Sequence, residues 1–268
     1  MNFEVNESRC VSCGRCVKDC PMGILEMKDG RPRVRDGKGD GCMNCQHCLA
    51  VCPADANALN GVASEMLPRL DAMPIPPPTE LANLIRSRRS VRQFTAENVP
   101  REEIAALLET LKYTPTGCNC RPLKFLVVDD CAKMDVLRQK VKDLLLAREE
   151  TLPDFLRGVV ASVRKNPSLD PFFRGAPHLL IALGDTKAVT PQVDCDAAIA
   201  TFDLLAQANG LGTTWCGFLR IITDAVPEVA DVFGIPRGAP FYAMIFGNPL
   251  VDYVKCVDRS AAAEVVYL

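Results

Sequence analysis

The sequence predicts an α+β fold in two domains: a small cysteine-rich domain, then a larger α/β sandwich whose central sheet carries helices on both faces. Three observations support this. Eight of the 14 cysteines lie within the first 52 residues, prolines crowd the stretch after residue 66, and helical and strand patterns alternate beyond residue 80. We therefore expect domains at 1–66 and 80–268, joined by a linker at 67–79.

Composition narrows the class of protein. The chain has 268 residues, a net charge of −2 and 48% hydrophobic residues, enough to bury a substantial core. Its near-neutral balance argues against nucleic acid as a partner. The N-terminus has no secretory pattern, and no apolar run reaches the roughly 18–20 residues that cross a bilayer. We expect a cytoplasmic protein without membrane contact, whose cysteines bind metal rather than form disulfides.

The cysteine-rich domain carries an internal repeat. The stretches CVSCGRCVKDCP (10–21) and CMNCQHCLAVCP (42–53) share the pattern C-x2-C-x2-C-x3-C-P at an offset of 32 residues. This is the spacing of bacterial iron–sulfur proteins, in which the fourth cysteine ligates the other cluster. Zinc is the alternative, but it favours paired C-x2-C units, and two complete runs that each end in proline fit it less well.

The spacing assigns each cysteine to a cluster. The first cluster is predicted to use Cys10, Cys13, Cys16 and Cys52, and the second Cys42, Cys45, Cys48 and Cys20. Residues 1–60 resemble the bacterial-type two-cluster ferredoxins, which implies two [4Fe–4S] clusters that carry single electrons. His47 lies between two ligands, either as a surface residue or as a group that tunes the cluster potential with pH.

The elements of the larger domain follow from hydrophobic periodicity. The linker contains five prolines, which favour extended polyproline II. A helix is predicted at 101–112, after Pro100 and with acidic residues in its first turn. Further predicted elements are strands at 124–128, 178–183 and 241–247, a buried helix at 193–209, and helical residues at 135–165 whose role is open.

The stretch IRSRRSVRQF concentrates positive charge, with four arginines between residues 86 and 92. Arg88, Ser90 and Arg92 alternate, so on an extended segment they point the same way. Two guanidiniums and a hydroxyl on one side make a phosphate cradle, because arginine binds phosphate oxygens bidentately. The alternative is a solvated helix face. We expect Arg86 and Arg89 to be solvated or structural rather than to bind phosphate.

Four stretches in order, RSRRSVRQF, YTPTGCNCRPLKFLVV, ANGLGTTWCGF and GNPLVDYVKCVDRS, resemble the nitroreductase family of FMN flavoproteins over most of 80–268. The resemblance implies a nitroreductase-type sandwich and a homodimer with FMN at the subunit interface. It implies that the FMN phosphate is bound by Arg88, Ser90, Lys255 and Arg259, and that Arg92 approaches the N1/C2 side of the ring. It also implies that Thr116, Gly117 and Asn119 reach FMN from the partner subunit, and that the segment Trp215, Cys216 and Gly217 offers a backbone N–H to flavin N5.

The sequence departs from the family pattern on the substrate side. Arg121 replaces a frequent Gln, Leu123 a Trp, and Asn248 a Tyr. Cys118 and Cys120 are either small half-buried thiols or thiols that meet substrate or undergo redox chemistry. No G-x-G-x-x-G follows a strand, so no separate Rossmann domain is expected, although a nicotinamide could stack directly on FMN.

These observations predict an FMN-dependent oxidoreductase. The clusters would pass single electrons to or from FMN, which would reduce a nitroaromatic, quinone, enone or aryl halide. NAD(P)H or an external ferredoxin would be the donor. No side chain is assigned as catalytic, because the cofactor carries the chemistry. Two alternatives remain. One is a dehydrogenase that sends electrons out to ferredoxin. The other is an electron-transfer or redox-sensing protein without a substrate, and a flavin face blocked by residues 135–175 would favour it. Oxygen-sensitive clusters would indicate an anaerobic host.

Overall fold

A computed structural model describes residues 1–260 and 263–268. The chain divides into two compact units, of which the first contains residues 1–76 and Cys118–Cys120, and the second contains 77–117 and 121–268. Within the stretch expected as a linker, a 3₁₀ turn spans Leu70–Ala72 and a helix already begins at Pro78. Proline is tolerated there because the first turn of a helix does not need its N–H.

The first unit is built from short elements around a small core. In chain order they are β1 (Phe3–Val5), α1 (Arg15–Lys18), β2 (Leu25–Lys28), β3 (Arg31–Val34), α2 (His47–Ala50), β4 (Asn57–Leu59) and β5 (Val62–Ala63). Strands β1, β4 and β5 form one antiparallel sheet, and β2 pairs with β3. The buried core consists of Cys16, Leu25, Cys48, Leu49 and Leu59.

The backbone of the first unit repeats as the sequence does. Helix α2 lies 32 positions after α1, and each follows a residue in the left-handed region, Gly14 with φ 68° and Gln46 with φ 61°. That conformation costs about 1–2 kcal/mol for a residue other than glycine. The predicted internal repeat is therefore confirmed, and its second copy keeps the same turn at an energetic cost.

The second unit alternates helices and strands. It contains α3 (Pro78–Ser87), α4 (Arg101–Leu111), β6 (Lys124–Val128), α5 (Cys131–Ala147), α6 (Asp154–Lys165), β7 (His178–Leu183), α7 (Pro191–Ala208), β8 (Gly212–Trp215), α8 (Gly217–Ala225), α9 (Glu228–Phe233) and β9 (Phe241–Gly247). The sheet has the order β6-β7-β9-β8, and neighbouring strands are antiparallel.

Both faces of this sheet are covered, as predicted. In β7, Leu179 and Ile181 pack into one hydrophobic cluster together with side chains of α5, α6 and α8. The alternate residues Leu180 and Ala182 pack into a second cluster together with side chains of α4 and α7. Because successive side chains of a strand point to opposite faces, β7 is buried on both sides.

The residues of 135–165 are mostly helical, as expected. They form most of α5 and all of α6, with a 3₁₀ turn at Glu149–Thr151 between the two helices. Their inward side chains, such as Val141, Leu145, Leu156 and Val160, are fully buried in the core of the second unit. Among residues 1–260 and 263–268, no helix is both long and apolar enough to span a membrane.

Candidate functional sites

Two cavities in the first unit divide the eight N-terminal cysteines between them. The first cavity is lined by Cys10, Cys13, Cys16 and Cys52. The second is lined by Cys20, Cys42, Cys45 and Cys48. The fourth cysteine of each run thus lies with the first three of the other run, because the short helix inside each run carries the chain across the unit. This is the grouping that the spacing predicts.

Each cavity offers four thiols, which is the ligand number of a [4Fe–4S] cluster. In the part of the chain that the structure describes, no group of three Cys, His, Asp or Glu side chains is arranged to hold a single metal ion.

Burial raises the pKa of two of these thiols. Burial first, and then the neighbouring cysteines, raise the pKa of Cys48 to about 12. The pKa of Cys16 is also raised, mainly by burial. Metal ligands must be thiolates, so cluster binding would release protons.

Arg31, at the start of β3, supports the first cavity. Its Nη1 donates to the carbonyl of Cys10 at 2.9 Å and to Ser12 Oγ at 2.8 Å, and its Nη2 donates to the carbonyl of Glu7 at 3.1 Å. It thereby fixes the loop that carries the first ligand. Sequence reasoning missed this residue, because its partners lie about 20 residues away along the chain.

His47 lies at the surface of the first unit. Its Nδ1 is 3.2 Å from Asp19 Oδ2, and both side chains are about half exposed. The imidazole also lines the second cavity, so its position is compatible with either predicted role.

The arginine-rich segment of the second unit is extended, as its alternation predicts. Helix α3 ends at Ser87, and Arg88 already has φ −52° and ψ 131°. Ser90 forms a parallel bridge with Thr213, and the N–H of Val91 donates to the carbonyl of Thr213 at 2.8 Å. The hydroxyl of Thr214 donates back to the carbonyl of Val91. Residues 90–91 therefore run beside β8.

A buried carboxylate joins this segment to β8. Asp203 of α7 has a side chain only 5% exposed, and its Oδ2 lies 3.3 Å from Arg88 Nη1. The same oxygen accepts from Trp215 Nε1 at 3.1 Å, while Oδ1 accepts from the Thr213 hydroxyl. Sequence reasoning missed Asp203. The available signal was an acidic residue inside a helix that the apolar pattern marks as buried.

The segment after β8 carries two backbone N–H groups in different surroundings, those of Cys216 and Gly217. The N–H of Cys216 donates to the carbonyl of Ala243 at 2.8 Å. Gly217 opens α8, where the first N–H groups have no partner within the helix. The thiol of Cys216 is buried, which raises its pKa to about 12, so it remains protonated and serves packing. Trp215 packs edge-on against Tyr242 at 5.1 Å.

The residues around 116–120 fall into different units. The N–H of Gly117 donates to Asp194 Oδ1 at 3.0 Å, and Thr116 Oγ1 accepts from the N–H of Arg121 at 3.1 Å, within the second unit. Asn119 belongs by its contacts to the first unit, where its Nδ2 donates to the carbonyl of Met43 at 2.9 Å. Cys118 and Cys120, on either side of Asn119, are exposed.

The C-terminal tail passes the arginine-rich segment. The N–H of Leu250 donates to the carbonyl of Gln93 at 3.0 Å, and the Tyr253 hydroxyl lies 3.5 Å from the carbonyl of Ser90. Lys255 and Arg259 follow in an exposed, irregular stretch. The structure thus joins Arg88 and Trp215 through Asp203, and Arg92 Nη1 donates to the carbonyl of Ser90 at 3.2 Å. Lys255 and Arg259 lie on the tail that follows Tyr253.

Two family profiles match the chain. Residues 85–248 match the Nitroreductase family, and residues 9–56 match the 4Fe-4S dicluster domain. The first match spans more than half of the chain, and the second contains all eight cysteines of the two cavities.

Individual relatives resemble the second unit. The chain is 26% identical over 136 residues to an iodotyrosine deiodinase of Thermotoga neapolitana, covering 50% of this chain and 71% of that protein. It is 31% identical over 157 residues to a 5,6-dimethylbenzimidazole synthase of Rhodospirillum rubrum, covering 55% and 74%. The crystal structure of a nitroreductase with bound FMN from Bacteroides fragilis superposes with a TM-score of 0.57 at 22% identity, covering 70% of this chain and 99% of that one. At that identity the superposition establishes the shared fold.

Proposed function

The chain belongs to the nitroreductase family and carries a 4Fe-4S dicluster domain, and on this premise we propose that two [4Fe–4S] clusters exchange single electrons with an FMN in the same protein. The observation that carries the proposal is the division of the eight cysteines into two cavities of four, in a chain that also has the extended arginine-rich segment. The reaction is the reduction of a small, electron-poor molecule by the flavin.

The cluster ligands follow from the cavities. The first cluster takes Cys10, Cys13, Cys16 and Cys52, and the second takes Cys20, Cys42, Cys45 and Cys48. Asn44 and Ala56 donate their N–H groups to the sulfurs of Cys42 and Cys52, at 3.4 and 3.3 Å. Bonds of this kind stabilise thiolate sulfur and adjust the cluster potential.

The FMN phosphate is held by Arg88, Ser90, Lys255 and Arg259. Asp203 Oδ2 lies 3.3 Å from Nη1 of Arg88, and a guanidinium has five N–H donors with which it can also meet phosphate oxygens. The contact between the Tyr253 hydroxyl and the carbonyl of Ser90, two residues before Lys255, supports the assignment of the C-terminal cations to the same phosphate. Arg92 is exposed, and as the third of the alternate residues Arg88, Ser90 and Arg92 it points the same way as the other two. It approaches the N1/C2 side of the flavin ring, where a cation stabilises reduced flavin.

The remaining flavin contacts come from two segments. Within Trp215, Cys216 and Gly217, the N–H directed to flavin N5 is that of Gly217, because Cys216 donates to Ala243. Thr116, Gly117 and Asn119 contribute from the partner subunit of a homodimer.

FMN, when bound, supplies hydride and single-electron chemistry, and the side chains supply position and charge. We therefore assign no catalytic acid or base. Candidate acceptors are nitroaromatics, quinones, enones and aryl halides, the last because one relative is a deiodinase. Electrons enter from NAD(P)H or from an external ferredoxin. We place the protein in the cytoplasm of an anaerobic host, since low-potential clusters react with oxygen.

An anaerobic titration of the reconstituted protein tests this function. NADH, NADPH and a reduced ferredoxin are added in turn, while the flavin absorption and the broad cluster absorption are followed together. Each acceptor class is then offered to the reduced protein. Reoxidation of FMN by at least one class supports an enzyme. Reoxidation by an oxidised ferredoxin alone would replace this proposal with a relay or an electron-exporting dehydrogenase.

A further inference from the structure

The internal repeat allows the two cluster cavities to be compared position by position. At the offset of 32 residues, Asn57 in the first cavity corresponds to Leu25 in the second. Each residue opens a strand, β4 and β2 respectively, and the two are 3% and 1% exposed. A buried amide therefore occupies one cavity wall where an apolar side chain occupies the other.

The amide of Asn57 lines the first cavity and also contacts a member of the second cysteine group. Its Nδ2 donates to the carbonyl of Cys48 at 2.7 Å. Because an amide nitrogen carries two hydrogens, one hydrogen remains that can be directed to sulfur in the first cavity. The side chain of Leu25 has no polar atom to offer the second group.

Other polar groups lie at both cavities: the half-exposed His47 lines the second, and Arg15, at the corresponding position, lines the first. Each cavity has a backbone N–H that donates to a cysteine sulfur, from Ala56 to Cys52 and from Asn44 to Cys42. Arg31 adds a half-buried positive charge beside the first cavity, where its Nη1 donates to the Cys10 carbonyl. The residue at the corresponding position of the second copy is Ala63.

We propose that Asn57 makes the first cluster the more easily reduced of the two. Hydrogen bonds to cluster sulfurs and nearby positive charge stabilise the added electron and raise the reduction potential. In a chain that has received a single electron, that electron would reside mainly on the cluster of Cys10, Cys13, Cys16 and Cys52. The inference rests on the proposed presence of both clusters, and Asn57 acts through their sulfurs as a tuning residue.

Reciprocal substitutions test the inference in the full chain, reconstituted anaerobically. Asn57→Leu gives the first cavity the wall of the second, and Leu25→Asn does the reverse. Potentiometric titration followed by electron paramagnetic resonance measures the midpoint of each cluster. We expect Asn57→Leu to lower the higher of the two midpoint potentials by about 59 mV. For one electron this shift is about a tenfold change in the equilibrium constant for reduction. We expect Leu25→Asn to raise the lower midpoint and narrow the gap. Asn209→Leu, at an exposed position in the second unit, is the matched control and should change neither midpoint.

The outcomes separate this inference from the proposed function. A wild-type protein that assembles fewer than two clusters refutes the proposed function. Two clusters whose midpoints are unchanged in both variants refute the role of Asn57 and leave the proposed function intact. If Asn57→Leu prevents assembly of the first cluster, Leu25→Asn decides: a raised lower midpoint supports the inference, and an unchanged one overturns it.

Discussion

Replacing Asp203 by Asn should weaken FMN binding through the phosphate. The carboxylate is almost completely buried, forms an ion pair with Arg88 and accepts from Thr213 and Trp215. Asparagine keeps a single acceptor oxygen and turns an N–H₂ group toward groups that are themselves donors. The substitution therefore releases Arg88 from the orientation in which its free N–H groups meet phosphate.

The size of the effect follows from the contacts that are lost. A hydrogen bond to a charged group contributes about 1.5–3 kcal/mol. The Arg88 side chain is 33% exposed, so solvent screening places its contact with Asp203 at the lower end of that range. We expect a loss of about 1.5 kcal/mol in FMN binding, or about tenfold in Kd. The contacts to Thr213 and Trp215 mainly affect folding, so the free energy of unfolding should also fall.

Comparing FMN with riboflavin isolates the phosphate contribution. Quenching of flavin fluorescence gives the Kd of both ligands for wild type, Asp203→Asn, Arg88→Ala and the double variant. We expect the ratio of riboflavin Kd to FMN Kd to fall in each single variant, and the two effects to be less than additive because they act through one guanidinium. Asp224→Asn, which removes the partner of an exposed pair with Arg220, is the control.

The reasoning is refuted if Asp203→Asn weakens riboflavin and FMN equally. That result would assign Asp203 to the structure of the flavin pocket as a whole. A wild type that does not distinguish the two flavins would instead refute the assignment of Arg88 to the phosphate.

Three further substitutions test the packing around these sites. Gly212→Ala would place a Cβ 2.8–2.9 Å from three atoms of the rigid Val91 side chain, so we expect a lower melting temperature and weaker FMN binding. Burial lowers the pKa of His178, whose Nε2 accepts from the N–H of Val99. As the pH drops below about 6.5, this histidine takes up a proton in the unfolded chain before it does so in the folded protein. The free energy of unfolding should therefore fall over that range. His178→Gln should flatten that dependence in chemical denaturation. Gln46→Gly, at φ 61°, should stabilise the first unit by about 1 kcal/mol in thermal unfolding.

Control substitutions show which results would contradict the predictions for Gly212 and His178. Gly158→Ala lies in a helix with open space around the new Cβ and should raise stability slightly, so an equal loss in both glycine variants would refute the close approach to Val91. His47→Gln replaces an exposed histidine and should leave the pH dependence of the second unit unchanged. A Gln46→Gly protein no more stable than wild type would show that the left-handed turn is not strained.

Local patterns predicted most of the fold. The helix after Pro100 and the strands at 124–128, 178–183 and 241–247 match α4, β6, β7 and β9, because their periodicity or apolar runs are complete within a few residues. Strand β8 was missed, since GTTW is short and its burial comes from pairing with β9.

The candidate site likewise contains features that the sequence predicts and features that only the folded structure reveals. The grouping of the cysteines depends on a fixed spacing and a repeat, and both are visible in the sequence. The roles of Asp203, Arg31 and Asn57 depend on partners that folding brings from distant positions, and no local pattern marks them. The backbone donor of Cys216 is used by Ala243, which also becomes apparent only when β8 and β9 are paired.

The central claim is that one chain holds two clusters and an FMN that exchange electrons. The most direct test is an anaerobic reductive titration of the reconstituted protein, in which flavin absorption and the resonance signals of the clusters are recorded at each addition. The account predicts an uptake of about four electron equivalents per chain, one for each cluster and two for FMN, with both kinds of signal re-equilibrating after each addition. An uptake of about two equivalents confined to the flavin, with no cluster signal, would contradict it.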